Sequence, residues 1–168
     1  RDFCLSRGLG DVYKRQARFY ESVTLLRQYF HRPAVTTDLI CGFPDETNRE
    51  FEQTMAFIEK CAFADMHIFP YSVRPGTKAA ELVQFSAAVK EERTRRAVAV
   101  ARTMHRAYLE GCVGQTYPVL YEQEKDGLYT GHAPNYCEVC VHAEDLHNKI
   151  IDTKIVGIDG DALIGELT

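Results

Sequence analysis

The feature that most constrains the fold is a change in hydrophobic pattern near residue 112. Before that point, apolar residues recur at helical spacing in three segments, and short strand-like apolar runs separate these segments. After it, short strand-like segments follow one another with turn residues between them. Such a change is typical of two differently built units in one chain. We therefore predict an α/β unit followed by an all-β unit.

The first half alternates between helix and strand patterns. The predicted elements are helices at 17–32, 46–62 and 86–110, and strands at 35–41 and 65–69. This alternation is the pattern of α/β units with a parallel sheet. Two strands are too few to close a domain, so we expect residues 17–112 to form the C-terminal part of a larger α/β barrel.

The second half contains five short strand patterns, at 116–123, 128–131, 136–141, 149–158 and 162–167. Asp126-Gly127 and Asp159-Gly160 are strong turn signals between strands. Five strands in fewer than sixty residues predict a small antiparallel β-barrel over residues 113–168, of the oligonucleotide-binding type.

Composition bears on the expected cellular location and on the state of the cysteines. No apolar run approaches the ~20 residues that a transmembrane helix needs, and no secretory signal is evident, so we expect a cytoplasmic protein without membrane contact. The six cysteines are therefore not expected to form a disulfide framework. Residues 1–16 show neither helical nor strand periodicity and resemble translated sequencing-adaptor sequence. We predict that they are a non-native or disordered leader.

Three stretches together carry a resemblance to a known family, namely residues 37–47, 67–79 and 126–136. In their order and spacing they resemble the radical-SAM methylthiotransferases. Within that family they look most like enzymes that add a methylthio group to C2 of N6-threonylcarbamoyladenosine at tRNA position 37. The resemblance implies a partial (β/α) barrel of the radical-SAM type, followed by an RNA-binding β-barrel called TRAM.

The resemblance also implies cofactors, which are S-adenosylmethionine and two [4Fe–4S] clusters. The chain contains no Cys-x3-Cys-x2-Cys motif, and clusters need thiolate ligands. We therefore predict no catalytic residue and no metal ligand here, and no activity for the chain alone. The residues that the resemblance assigns to the cofactor pocket are Ile40, Cys41, Gly42, Phe69, Tyr71 and Arg74. The alternative is that these residues are buried strand and loop-bracing positions.

The implied partner is the anticodon stem-loop of tRNA. The candidate RNA-binding residues are Arg95, Arg102, Arg106, Tyr129, His132, Asn135 and Tyr136. The segment 78–112 has seven basic and four acidic residues, whereas 113–168 has three lysines and ten acidic residues, a net charge of −7. Since RNA affinity rests heavily on phosphate neutralisation, the barrel has to bind unpaired bases by stacking and hydrogen bonds. Otherwise the arginines form a solvated helix face and the barrel is a packing module.

Other assignments stay open at this point. Cys137 and Cys140, with His142 and His147, have spacing that could suit zinc. However, residues i and i+3 on a strand point to opposite faces, so cysteines that fill the barrel are the better interpretation. One position departs from the family, since Asp45 stands where glycine is usual, and we expect strain there. Alternative functions are methylthiolation of isopentenyladenosine or of a ribosomal protein, or a stand-alone RNA-binding barrel.

Overall fold

The computed structural model describes residues 9–168, with side chains from residue 15 onward. The chain divides into two units, one up to Val100 and the other from Ala101 to Thr168. The helices are α1 (Leu9–Tyr29), α2 (Asn48–Cys61) and α3 (Ala87–Cys112), with a short 3-10 turn at Lys78–Glu81. The strands are β1 (Thr36–Cys41), β2 (Asp65–Pro70), β3 (Thr116–Lys125), β4 (Leu128–His132), β5 (Glu138–His142), β6 (Lys149–Asp159) and β7 (Ala162–Leu167).

The first helix starts earlier than the sequence pattern indicates. It begins at Leu9, inside the segment that the sequence analysis set apart as a leader, and residues 1–8 lie outside the described residues. The non-native origin of the leader stays a prediction. None of the described helices is both long and apolar enough to cross a membrane.

In the first unit, β1 and β2 form a parallel two-stranded sheet, in register from Thr36 with Asp65 to Cys41 with Pro70. One face of this sheet is buried at Cys41 and Met66. The apolar stripe of α2 is also buried, at Phe51, Met55, Ile58 and Cys61. The parallel pairing and the helix–strand alternation confirm the α/β class that the sequence predicts.

The start and end of α2 follow from local chemistry. Thr47 caps its first turn through a reciprocal capping box, in which the Thr47 side chain accepts from the Glu50 amide and the Glu50 carboxylate accepts from the Thr47 amide. The helix ends at Ala62, which adopts a left-handed conformation with φ 49°. Arg27 of α1 donates to the carbonyl oxygens of Cys61 and Ala62, at 2.6 and 2.7 Å, and so satisfies carbonyl groups at the helix end.

The second unit is a closed five-stranded barrel in the order β3-β4-β5-β7-β6, with β6 pairing back to β3. Four pairings are antiparallel, and the β5–β7 pairing is parallel. The predicted five-stranded barrel is confirmed, but it is mixed rather than wholly antiparallel. The reason is topological. Strand β6 pairs with β3 and not with β5, and β7 runs antiparallel to β6 between β6 and β5, so β7 is parallel to β5.

The barrel core consists of side chains that alternate inward along each strand. Val119, Tyr121, Val139, Ile155 and Leu163 are fully buried there. Three residues from the last turns of α3, Tyr108, Leu109 and Cys112, pack with the same cluster. The sequence analysis places the domain boundary after Cys112, whereas the division by contacts falls inside α3, because these helix residues belong with the barrel core.

Candidate cofactor and RNA-contact sites

The carboxyl end of β1 is shaped by a glycine. Gly42 has a φ of +72°, and a Cβ placed there would lie 2.8 Å from Cγ of Lys90. Any side chain at this position would therefore be strained and would also displace the stem of Lys90. The absence of a side chain at Gly42 therefore allows Lys90 of α3 to pack closely against the backbone of this strand end.

Cys41 lies beneath the surface of this strand end. Its side chain is buried, and burial raises the pKa of its thiol to about 11, against the opposing hydrogen bond from Thr94. The thiol is therefore neutral at physiological pH and is a weak nucleophile. Among the predicted pocket residues, Cys41 is therefore a buried, unreactive side chain of the strand end.

The ends of β1 and β2 are held together by hydrogen bonds. The amide of Tyr71 donates to the carbonyl oxygen of Cys41 at 2.8 Å, and Lys90 Nζ donates to the carbonyl oxygen of Tyr71 at 3.1 Å. The ring of Tyr71 packs edge-on against Phe43, with 5.2 Å between the centroids. Tyr71 is therefore a half-buried brace of the loop, with one side of its ring already occupied.

Two predicted pocket residues lie side by side on the exposed face of the β1–β2 sheet, opposite the face that Cys41 and Met66 bury. We call this exposed side the outer face. Ile40 and Phe69 are partners in the β1–β2 register, and both are more than half exposed. They form an exposed apolar patch on this face of the sheet. Arg74 lies in the loop after β2, and its exposed guanidinium has no hydrogen-bond or ion-pair partner within the described part of the chain. It is therefore available to a carboxylate or a phosphate.

A buried arginine that sequence reasoning missed fixes the turn after β1. Arg93 is only 4% exposed, and its guanidinium donates to the Glu46 carboxylate at 2.6 Å and to the Glu46 carbonyl oxygen at 3.1 Å. It also donates to Asn48 at 3.0 Å and stacks over the ring of Phe85. Burial raises the pKa of Glu46 although Arg93 opposes this, and the Glu46 carboxylate also accepts a hydrogen bond from the Gly42 amide.

Arg93 therefore positions the turn from Gly42 to Glu46 through both the carboxylate and the carbonyl oxygen of Glu46. A signal for it exists in the sequence, since Arg93 lies four residues before Ala97 and eight before Ala101, and both alanines are buried. That spacing places Arg93 on the core-facing side of α3.

The predicted RNA-binding arginines of α3 differ in whether they form an ion pair. Arg95 pairs with Glu92, and Arg106 pairs with Glu110 at 3.1 Å. Arg102 is exposed and makes no ion pair with any residue that the structure describes. Surface pairs of this kind stabilise little, so both paired arginines can exchange their partners for phosphates.

The turn between β4 and β5 presents one aromatic side chain to solvent. Tyr136 is 88% exposed and has a φ of +61°, a conformation that costs a bulky residue about 1–2 kcal/mol. The turn is held by backbone bonds from Tyr136 to Ala133 at 2.8 Å and from Ala133 to Cys137 at 3.0 Å. Strained backbone conformations cluster at functional sites, so the strain and exposure of Tyr136 make it a candidate contact residue.

The side chain of Asn135 stabilises this turn through hydrogen bonds. Its amide group donates to the hydroxyl of Tyr108 at 3.2 Å and to the sulfur of Cys112 at 3.7 Å, and its carbonyl accepts from the amide of Cys137. The side chain is half-buried and engaged in the barrel. The structure therefore gives Asn135 a positioning role for the neighbouring Tyr136.

The other two predicted RNA contacts on the barrel differ from each other. Tyr129 is 8% exposed and belongs to the barrel core, so its ring has no free face for a base. The alternation along β4, in which Tyr129 and Gly131 are buried, gives the reason. His132 is exposed, and its Nδ1 lies 3.2 Å from the Glu122 carboxylate.

No group of three or more His, Cys, Asp or Glu side chains in residues 15–168 is arranged to hold a metal ion. The cysteines Cys41, Cys61, Cys112, Cys137 and Cys140 are free thiols. The described residues therefore do not fit an iron–sulfur cluster, and no chemical step is assigned to one here.

Comparison with known proteins identifies the family. No family model matches the chain. The chain is 32% identical over 165 residues to the threonylcarbamoyladenosine tRNA methylthiotransferase MtaB of Bacillus subtilis, an alignment that covers 90% of this chain and 37% of the relative. It is 35% identical to the tRNA-2-methylthio-N(6)-dimethylallyladenosine synthases of Chloroflexus aurantiacus and Trichlorobacter lovleyi, over 89% and 92% of this chain and 33% and 36% of those proteins.

The chain thus spans about a third of the length of the curated relatives that it matches. Each alignment runs through both the α/β unit and the barrel, since it covers about nine tenths of the chain. The chain belongs to the radical-SAM methylthiotransferase family.

Proposed function

We propose that this chain is part of a tRNA-modifying enzyme that transfers a methylthio group to C2 of N6-threonylcarbamoyladenosine at tRNA position 37. The observation that carries the proposal is the 32% identity, over 90% of the chain, to a relative named for that reaction. Because the match extends through both units, it favours an enzyme over a stand-alone RNA-binding barrel. A tRNA substrate also implies a cytoplasmic protein.

A second substrate has support of its own. Relatives at 31% to 35% identity are named for 2-methylthio-N(6)-dimethylallyladenosine in tRNA. The two substrates differ only in the group on N6 of adenosine. Methylthiolation of tRNA adenosine is therefore the shared part of the proposal, and the N6 group is the part that the experiment has to decide.

S-adenosylmethionine, when bound, supplies the methyl group and the radical chemistry of this family. The apolar pair of Ile40 and Phe69 fits the face of its adenosyl group, and the unpartnered Arg74 fits a carboxylate. Gly42, Cys41 and Tyr71 hold the strand ends on which this patch sits. The ligands of both clusters are proposed to lie outside the described residues.

Contact between the barrel and RNA is proposed to rest on stacking. The barrel carries a net charge of −7, so it gains little from phosphate neutralisation. Tyr136 is the exposed ring that can stack on an unpaired base, with His132 beside the same turn and Asn135 holding it. Arg95, Arg102 and Arg106 on α3 are the proposed phosphate contacts.

The test of the function uses the protein encoded by the complete gene, purified and reconstituted anaerobically with iron and sulfide. It is given S-adenosylmethionine and tRNA that carries either the threonylcarbamoyl or the dimethylallyl group, and the nucleosides are analysed by mass spectrometry. Methylthiolated threonylcarbamoyladenosine supports the proposal. Product from the dimethylallyl tRNA alone moves the proposal to the second substrate, and no methylthio nucleoside from either tRNA refutes it.

The stacking role of Tyr136 is tested by changing it to serine. We expect roughly tenfold weaker tRNA binding, because one base–aromatic stack contributes about 1–3 kcal/mol. Tyr29 of α1 is similarly exposed, at 77%, so Tyr29→Ser is the matched control and leaves the dissociation constant unchanged. The salt dependence of binding stays the same in both variants because no charge is altered. Equal binding by wild type and Tyr136→Ser would remove the barrel from the proposed interface.

A further inference from the structure

The outer face of the β1–β2 sheet carries a polar pair that the cofactor assignment leaves unused. Asp38 and His67 are partners in the strand register, and Nδ1 of His67 lies 3.2 Å from Oδ1 of Asp38. Their side chains are 73% and 71% exposed. The pair lies two residues before Ile40 and Phe69 along the same strands, about 7 Å away at the usual rise of a strand.

Such a pair is unusual on a parallel sheet. Parallel strands are ordinarily covered on both faces and are rich in apolar residues on both. Here the covered face follows that rule at Cys41 and Met66, whereas the outer face combines an apolar pair with an aspartate–histidine pair. A helix packed on this face would bury both polar groups at considerable cost. The face therefore offers an apolar contact at Ile40 and Phe69 and, beside it, a separate polar contact at Asp38 and His67.

We propose that the Asp38–His67 pair recognises the polar group on N6 of the target adenosine and so selects threonylcarbamoyladenosine over dimethylallyladenosine. This inference rests on the proposed function, because it assumes that the adenosine in tRNA is the substrate. S-adenosylmethionine and the target base have to meet for the reaction, so a residue pair beside the proposed adenosyl patch is suitably placed to contact the substrate.

The chemistry of the pair matches the threonylcarbamoyl group. Asp38 occupies Nδ1 of His67, and Nε2 of His67 has no hydrogen-bond partner in residues 15–168. Nε2 can donate to the carboxylate of the substituent when the ring is cationic, or accept from its hydroxyl or amide N–H when the ring is neutral. The free oxygen of Asp38 accepts a further N–H or O–H bond. A dimethylallyl group makes none of these bonds, and its binding would cover the exposed Asp38–His67 pair without replacing the hydrogen bonds that the pair makes to water.

The inference is tested by equilibrium binding of anticodon stem-loops to the protein encoded by the complete gene. Three loops are compared, with threonylcarbamoyladenosine, dimethylallyladenosine or plain adenosine at the target position. We expect wild type to bind the threonylcarbamoyl loop at least roughly tenfold more tightly than the other two, which is the size expected for hydrogen bonds to charged groups. His67→Phe and Asp38→Asn lose this preference but keep the affinity for plain adenosine, and His67→Gln regains part of it.

The matched control is Asp65→Asn, since Asp65 is exposed at the other end of the same face and loses the same charge. It leaves the preference unchanged. A preference that survives in His67→Phe overturns the inference, as does a wild type that prefers the dimethylallyl loop. Nucleoside analysis of the same wild-type protein separates the two proposals. Methylthiolated product together with an unchanged preference in His67→Phe refutes only this inference, whereas no methylthio product with any tRNA refutes the function.

Discussion

The two units of this chain differ in how their strands are paired and covered. In the barrel, each of the five strands has a partner on both sides, and its inward side chains fill a closed core. In the α/β unit, β1 and β2 pair only with each other within the described residues, and one face of their sheet is exposed.

This difference teaches where each unit can bind a ligand. A closed barrel has no free edge and a filled interior, so its binding groups lie on its turns, as Tyr136 does, or on the outward-facing side of its strands. The α/β unit offers a whole sheet face, on which Asp38, Ile40, His67 and Phe69 are exposed together. Unpaired strand edges also promote association, so the α/β unit is expected to be the less stable and more aggregation-prone of the two.

The largest expected effect comes from removing the buried cation of the α/β unit. Arg93→Met leaves the half-buried carboxylate of Glu46 and the side chain of Asn48 without their donor. We expect the unit to lose about 3–5 kcal/mol, which is typical when one partner of a buried pair is removed. Hydrogen exchange read by mass spectrometry should show protection lost in α2 and the start of α3, and retained in β3 to β7.

Arg96→Met is the matched control, because Arg96 is on the same helix and pairs with Glu52 through two bonds of 2.7 and 2.8 Å, but is exposed. An exposed pair contributes at most about 1 kcal/mol, so protection should change little. Equal effects of the two substitutions would show that burial of Arg93 does not determine the stability of this unit.

A somewhat smaller effect is expected in the barrel from Gly131→Ala. A Cβ at Gly131 would overlap the carbonyl oxygen of Leu120 and lie 2.8 Å from Cα of Tyr121, both in the neighbouring strand. Overpacking against a backbone cannot be relieved by a rotamer change, so we expect a loss of about 3 kcal/mol. Urea unfolding followed by far-UV circular dichroism measures it, with hydrogen exchange to assign the loss to the barrel.

Gly157→Ala is the control for this substitution. Its added Cβ would meet Ile164 at 3.8 Å, an ordinary van der Waals distance, and its backbone needs no positive φ. Its free energy of unfolding should stay within about 1 kcal/mol of wild type. A barrel that tolerates alanine equally at both glycines would contradict the tight β3–β4 pairing described here.

Much of the fold could be predicted from the sequence because the two halves have different periodicities. The order of helices and strands and the five-stranded barrel follow from local patterns and turn residues. The parallel β5–β7 pairing could not be predicted, because local patterns and turn residues do not determine which distant strands pair. The sequence analysis also missed that Leu109 and Cys112 belong to the barrel core. Helical periodicity shows which face of a helix is buried, but it does not show against which element that face packs.

The candidate sites were less predictable than the fold. The resemblance assigns Ile40 and Phe69 to one cofactor pocket together with Cys41 and Tyr71. It does not show that Ile40 and Phe69 are register partners, that Cys41 is buried or that Tyr71 packs on Phe43. Arg93 was missed because its partner Glu46 is 47 residues away and a lone arginine in a basic helix looks like a solvated one. Tyr129 illustrates the opposite error, because an aromatic in a binding motif looked available although strand alternation points it inward.

The smallest expected effect tests strain in the α/β unit. Asp45 has a φ of +64° in the turn that follows β1, as the sequence analysis expected of a position where glycine is usual. Asp45→Gly removes the strain of a left-handed aspartate but increases the freedom of the unfolded chain, so we expect a net gain of at most about 1 kcal/mol. Thermal unfolding followed by circular dichroism measures the gain. Asp126 of the barrel also has a positive φ, of 54°, but precedes Gly127 in a turn that suits aspartate, so Asp126→Gly is the control and should gain less. A loss of stability in Asp45→Gly would mean that contacts of the aspartate side chain outweigh the strain of its left-handed backbone.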